Sequence, residues 1–368
     1  MIPLAKPDIT DLERKEVLEV LKTPNLSLGP KLKEFEEKIA SYIGIKYAIA
    51  INSGTSALHL VIRALGIGKG DEVITSPFSF IASANCILYV QANPVFVDID
   101  PETLNIDVDR IEKRINEKTK AILAIDIFGL PAEWEVLERR AKKYNLYLIE
   151  DSAEALGAEY KGKKTGSFGD AGIFGFYPNK QITTGEGGMV VTNNEKIAEL
   201  CISMRNQGRN KGQNWLQHKR LGYNYRLSEV NCALGIAQLE RIEEILKKRE
   251  EVAKMYNGRL KDKKGLKIPS SFPELTRSWF VYVVQLEKGV RRKERDKIIK
   301  ELKKKEIECG NYFPPIHLQP FYRKNFGYKL GDFPVTEGIS ERTIALPFHN
   351  NLKEKEIDYV CKNLLSLI

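Results

Sequence analysis

Four polar segments of this chain have residue types and spacing that suit chemistry. The first is NSGTSAL, Asn52 to Leu58, set between a short apolar run and a helical one. Small residues let backbone N–H groups approach an anion, and the start of a helix favours negative charge. The hydroxyls of Thr55 and Ser56 add donors there. The same letters also suit a plain strand-to-helix turn with a hydroxyl cap.

The second is IEDSAEALGA, in which Asp151 stands one residue past Glu150, directly after LYLI. In an open α/β sheet, ligands gather at the carboxyl ends of strands. A carboxylate in that place accepts the proton of a ring nitrogen, or simply caps a helix. The third, GFYPNKQITTGEGG from Gly175 to Gly188, is the strongest single feature. A lone lysine is ordinarily a solvated surface group. Lys180 instead lies between an apolar strand and a stretch rich in glycine and threonine. Such surroundings lower an amine's pKa and suit a Schiff-base nucleophile. Gly185, Gly187 and Gly188 suggest backbone brought close to a bound group. The fourth is YFPPIHLQP, where His317 follows Tyr312 and two prolines. It lines a pocket at a domain junction or is a satisfied structural histidine, and the residues alone leave both open.

These segments need a scaffold, and the apolar pattern supplies one. Helical spacing of Leu12, Val17 and Leu21, and then of Leu32, Phe35, Ile39 and Tyr42, predicts a helical lead-in broken by TPNLSLGP. From Tyr47 onward, short runs such as YAIAI, DEVIT, PVFVDID, AILAIDIF and LYLIEDSA alternate with helical stretches. Apolar runs without polar alternation suit a sheet covered on both faces, and the intervening helices imply parallel crossovers. AGIFGF and GGMVVT add two strands around the Lys180 segment. One long helix is predicted from Leu227 through SEVNCALGIAQLERIEEILKKREEVAKMY, and KDKKGLKIPSSFPE reads as the boundary segment. Beyond it come the strand WFVYVVQL and two amphipathic helices near 291–306 and 353–366. The expected class is α/β: a large domain over residues 1–250 and a smaller C-terminal α/β domain over 251–368.

Bulk properties narrow the function classes. Lys+Arg exceed Asp+Glu by 58 to 49, giving +9, but the excess is spread over mixed-sign segments such as KERDKIIKELKKKEIE. Without a basic stripe interleaved with aromatics, no nucleic-acid partner is expected. Five scattered cysteines with no CxxC pair point to neither a disulfide framework nor a metal site. No apolar signal core opens the chain and no apolar run reaches membrane-spanning length, so a cytoplasmic protein with no membrane partner is expected. A dinucleotide oxidoreductase is disfavoured because no GxGxxG follows the first strand.

A phosphate cradle, a carboxylate for a ring nitrogen and a lysine on the buried side together make up the equipment of a pyridoxal-phosphate site. In this order the segments resemble the DegT/DnrJ/EryC1/StrS family, sugar aminotransferases that act on nucleotide-linked keto sugars. The resemblance runs over essentially the whole chain. It implies a fold-type-I pyridoxal-phosphate transferase with a mostly parallel central sheet. By resemblance, Lys180 bonds covalently to the cofactor, Asp151 pairs with its pyridine nitrogen, Phe80 stacks on its ring, and Gly54 and Thr55 cradle its phosphate. Asn224, in GYNYRLSEV, matches an asparagine given by a neighbouring subunit, which implies a homodimer with shared active sites. His317 matches a substrate-pocket position, with Tyr312 beside it.

Two positions depart from the common pattern. Gly175 stands where many members carry a phosphate-binding serine. Glu154 stands where glutamine or histidine is common, although glutamate occurs in relatives that look like 4-keto-sugar aminotransferases. A branch that dehydrates its substrate has histidine in place of the lysine, and Lys180 argues against it. The implied reaction moves an amino group from glutamate or glutamine to a nucleotide-linked keto sugar, 4-keto before 3-keto. The alternatives are a free cyclic ketone such as an inosose as acceptor, or a cofactor-binding regulatory or structural protein without turnover. The loop RNQGRNKGQNWLQHKR, with Arg205, Arg209, Lys211 and Lys219, suits a diphosphate or donor carboxylate as well as it suits a plain surface loop.

Overall fold

The computed structural model describes residues 1–210 and 217–368. Its main sheet is built from β1 (Tyr47–Ile51), β2 (Glu72–Thr75), β3 (Asn93–Phe96), β4 (Thr119–Ile125) and β5 (Tyr147–Asp151). A small ribbon contributes β6 (Glu159–Tyr160) and β7 (Lys163–Lys164), after which β8 (Ala171–Gly175) and β9 (Gly188–Thr192) return to the main sheet. The order across it is β1-β9-β8-β5-β4-β2-β3. Among the described residues β9 alone runs antiparallel to the rest. The carboxyl ends of β1, β2, β4, β5 and β8 therefore share one edge, and β9 begins there.

Alternation along the strands accounts for a core on both faces. The helices concerned are α1 (Asp11–Leu21), α2 (Pro30–Ile43), α3 (Gly54–Ala64), α4 (Ala82–Leu88), α5 (Val108–Ile111), α6 (Trp134–Tyr144), α7 (Glu195–Arg205) and α8 (Glu229–Glu240). Ile49, Ile51, Leu123, Ile149 and Ile173 face α3 and α7 through Leu58, Val61, Ile62 and Ile197. Ala48, Ala50, Phe174 and Met189 face α2 and α8 through Phe35, Ile39 and Ile236. Further along, Ile122 and Leu148 face Trp134 and Leu137 of α6. Each fully buried Ile, Leu or Phe contributes about 1.5–3 kcal/mol relative to exposure, so this double-sided packing fixes the edge that carries the polar residues.

The single long helix expected after Leu227 is two helices. The break falls at Arg241 (φ −101°, ψ 9°), between α8 and α9 (Ile242–Leu260). Its guanidinium donates to Glu13 Oε1 at 2.7 Å and to Asp8 Oδ2 at 3.2 Å, so the bend is held by the lead-in rather than by a local glycine or proline. Residue 250 lies inside α9.

A second, antiparallel sheet joins β10 (Leu266–Lys267), β12 (Tyr282–Leu286) and β13 (Thr343–Leu346), while β11 (Leu275–Thr276) pairs with β6. Val252, Tyr256 and Leu260 of α9 pack on this sheet together with Ile298, Leu302, Ile357 and Val360. Ile2 belongs to the same cluster, and its N–H donates to the Glu306 carbonyl at 2.7 Å. Among the described residues no helix is long and apolar enough to cross a membrane.

Candidate active site

A cavity of about 690 Å³ opens at the shared carboxyl edge and is closed from the other side by Phe280 and the segment Asn311–Pro314. One end is the start of α3. Ser53 caps it, accepting the Ser56 N–H at 3.1 Å. The first N–H groups of a helix have no acceptor within it. Gly54 and Thr55 line the cavity, so their N–H groups are the ones placed for an anion. Ser56 does not join them: its hydroxyl lies 2.9 Å from that of Ser53, and it is not part of the cavity lining. The Ser56 hydroxyl thus meets Ser53 and is not among the groups that face the cavity.

Backbone is pressed together at this end. A Cβ on Gly188 would lie 2.6 Å from Gly54 N, and one on Gly54 would lie 3.4 Å from Gly175 Cα. Glycine at 188 is what lets the start of β9 pass so close under α3. Gly175 itself is not sterically required, since its Cβ would meet nothing nearer than Ala153 Cβ at 3.5 Å.

Asp151 ends β5 and is buried. Ser83 donates to its Oδ2 at 2.7 Å and the Ala153 N–H to its Oδ1 at 3.2 Å. Burial pushes this carboxyl above the usual carboxylate range, while the Ser83 and Ala153 donors and the charge of Lys180 pull it back. Lys180 sits in the loop between β8 and β9, which is closed by the Phe176 N–H to the Gly187 carbonyl at 2.9 Å. Its Nζ is 3.8 Å from Glu154 Oε1 and 3.9 Å from the centroid of the Phe280 ring. Burial lowers the pKa of the amine, against the opposing pull of Glu154 and Asp151. Glu154 accepts the Phe128 N–H at 2.9 Å, and burial raises its pKa.

Phe80 and Tyr177 also line the cavity, yet remain 60% and 54% exposed. Two large aromatic faces are thus presented to whatever enters. Tyr312 lines the wall opposite, stacked on Phe313 at 4.8 Å. His317 does not reach the cavity. It is fully buried, with Nε2 2.9 Å from Glu337 Oε1 and its ring edge-on to Phe333 at 4.7 Å. The structural alternative for this histidine is the correct one.

Asn224 is exposed and lies outside this chain's cavity, paired through its backbone with Asn206. Of the basic loop, Arg205 is buried, donating to Glu36 and to the Ala50 carbonyl, so it ties α7 to β1. Lys219 is exposed, neither it nor Arg209 lines the cavity, and Lys211 lies outside the described residues. Sequence reasoning missed Ser83, Asn179, Glu186 and Phe280. Ser83 had a signal, standing one helical turn after Phe80, whereas Phe280 had none.

A sheet of this order with a lysine and an aspartate on its carboxyl edge is the architecture of an aminotransferase, and comparison with known proteins agrees. The family model "DegT/DnrJ/EryC1/StrS aminotransferase family" matches residues 7–365, and the chain belongs to that family. A GDP-perosamine synthase from Caulobacter vibrioides is 40% identical over 362 residues, 98% of this chain and 96% of the relative. Among solved structures, Helicobacter pylori PseC, an aminotransferase involved in the biosynthesis of pseudoaminic acid, superposes with a TM-score of 0.94 at 33% identity. The match covers 100% of this chain and 98% of that one. The putative sugar aminotransferase Spr1654 from Streptococcus pneumoniae, in its PMP form, also gives 0.94 at 29% identity, covering 100% and 99%.

Proposed function

We propose that the chain is a pyridoxal-phosphate-dependent aminotransferase that moves an amino group from glutamate or glutamine to a nucleotide-linked 4-keto sugar. The observation that carries this reading is the placement of Lys180 Nζ beside Glu154, in one cavity with buried Asp151 and the capped start of α3. The residues fit the cofactor: a helix start whose Gly54 and Thr55 N–H groups face the cavity, a buried carboxylate, and a lysine in the same cavity. Gly54 and Thr55 would hold the phosphate, Asp151 the ring nitrogen, Lys180 the aldehyde carbon and Phe80 the ring face. Bound there, the cofactor supplies an electron sink that lets a proton leave the carbon bearing the amine.

The chain's own residues do the rest. Asp151, with Ser83 donating to it, keeps a proton on the ring nitrogen. Lys180 Nζ, its pKa lowered by burial, is the base that would take the proton from the donor's carbon and hold it as the ammonium. Glu154 Oε1 balances the charge that Nζ then carries. A 4-keto acceptor is favoured by glutamate at 154, as the family resemblance implies, and a nucleotide-linked one by the identity shared with a GDP-perosamine synthase. Asn224, exposed and outside its own cavity, supports a homodimer in which a second copy brings it to the phosphate.

The direct test is to incubate the protein with pyridoxal phosphate, glutamate and a panel of nucleotide-linked keto sugars, with K180A alongside. Mass spectrometry should find the amino sugar from a 4-keto member of the panel and none with K180A. Amination of an inosose but of no nucleotide sugar would overturn the acceptor.

A further inference from the structure

Lys180 is tied to the cofactor for only part of a transamination cycle, and while it acts as a base its amine is free. The structure shows that free amine resting on Phe280, with Nζ 3.9 Å from the ring centroid. An ammonium over the face of an aromatic ring is attracted by the ring quadrupole, most strongly where water is excluded. Phe280 is 2% exposed and lies at the start of the strand region that brings the smaller sheet over the cavity.

The backbone that carries the ring is tied by hydrogen bonds from several segments. The Ser278 N–H donates to the Gly129 carbonyl at 3.0 Å and its hydroxyl to the Leu156 carbonyl at 2.5 Å. The Arg249 guanidinium donates to the carbonyls of Trp279 and Phe280 at 2.6 and 2.9 Å. Gln181, the neighbour of Lys180, donates one amide group to the carbonyls of both Glu154 (2.6 Å) and Ser278 (3.0 Å). Gly129, at φ +78°, permits the approach: a Cβ there would fall 1.7 Å from the Ser278 carbonyl oxygen. Lys180, Glu154 and Phe280 are thus fixed relative to one another through Gln181, on segments far apart in the chain.

We propose that Phe280 is a positioning residue for Lys180: its ring face and the Glu154 carboxylate form the seat that receives the lysine amine whenever it is released from the cofactor. The proposal rests on the reading of Lys180 given above. A leucine at 280 keeps the apolar wall but removes the quadrupole, whereas a tyrosine keeps the ring face.

The test uses the full-length enzyme converted with excess glutamate to its amine form, in which Lys180 is free. Acetylation of Lys180 by a small acylating reagent is followed against pH by peptide mass spectrometry. In F280L the midpoint should move to lower pH by roughly half to one and a half pH units, because the ammonium has lost its partner. F280Y should match the wild type. F280M replaces F280L if the latter melts below the assay temperature. A midpoint unchanged in F280L, or displaced equally in F280L and F280Y, overturns the proposal. A separate control tests the reading beneath it: the aldehyde cofactor, without donor, should shield Lys180 from the label. If it does not, Lys180 is not the cofactor lysine, and the seat loses its purpose along with it.

Discussion

Ser83 donates its hydroxyl to Asp151 Oδ2 at 2.7 Å, and the Ser79 hydroxyl stands 3.1 Å behind it. A hydroxyl has one proton, so Ser79 must be the donor to Ser83, and the two serines form a relay that ends on the carboxylate. Removing Ser83 leaves Asp151 with the Ala153 N–H and raises a carboxyl that burial has already raised. Hydrogen bonds to charged groups are worth about 1.5–3 kcal/mol, so S83A should weaken cofactor binding by roughly tenfold. The acid limb of binding should also move to higher pH. Fluorescence titration with pyridoxal phosphate across pH measures both, and unchanged affinity would remove Asp151 from the ring nitrogen.

Gly175 is a vacancy that sequence and structure describe in the same terms. A serine fits there, because the added Cβ meets Ala153 at ordinary contact distance, and the position lines the cavity opposite Gly54. G175S should melt at the wild-type temperature and bind the cofactor more tightly by several-fold, through one more donor to a charged phosphate. A weaker affinity in G175S would place the phosphate elsewhere.

Behind Asp151, Ser152 Oγ lies 2.6 Å from Asp126 Oδ2 and 2.8 Å from Glu150 Oε1. Both carboxyls are fully buried, and one hydroxyl proton cannot serve both, so the pair holds a proton of its own. Burial raises both carboxyls, and the Asp126 charge raises Glu150 further. The unfolded chain releases that proton more readily than the folded one. The stability the pair contributes is therefore complete below the ordinary carboxylate range and is lost as pH rises through the raised values. D126N fits the site: its oxygen keeps the Ala132 N–H and Trp134 Nε1 donors, and its amide donates to Ser152. Urea midpoints measured from mildly acid to mildly alkaline pH should fall less steeply with pH in D126N. An identical slope would mean that the pair carries no shared proton.

What could be read from the sequence follows from distance along the chain. Asp151, Lys180 and the Gly54–Thr55 turn were legible because each lies at or a few residues past the carboxyl end of an apolar run, and a parallel sheet brings such ends to one edge. Ser83 reaches Asp151 across 68 residues, and Phe280 comes to Lys180 from the second sheet, so no local pattern announces either contact. Tyr312 and Phe313 before His317 signal an aromatic setting, but a core and a pocket look alike in that respect. Only Glu337 decided the case for the core. The break at Arg241 was hidden for the same reason, since Glu13, which holds it, is 228 residues away.

Asn224 bears on the assembly, because it is exposed and its own chain's cavity lies elsewhere. If a second copy delivers it, each active site combines Lys180 of one chain with Asn224 of the other. K180A and N224A would each be defective alone. In a heterodimer of the two, one site carries both lesions and the other carries neither. Random pairing of equal amounts makes half the dimers mixed, so about a quarter of the wild-type activity should return on co-expression. If Asn224 serves its own chain instead, every site in the mixture retains one lesion. Activity then stays at the average of the two parents, and the shared site is excluded.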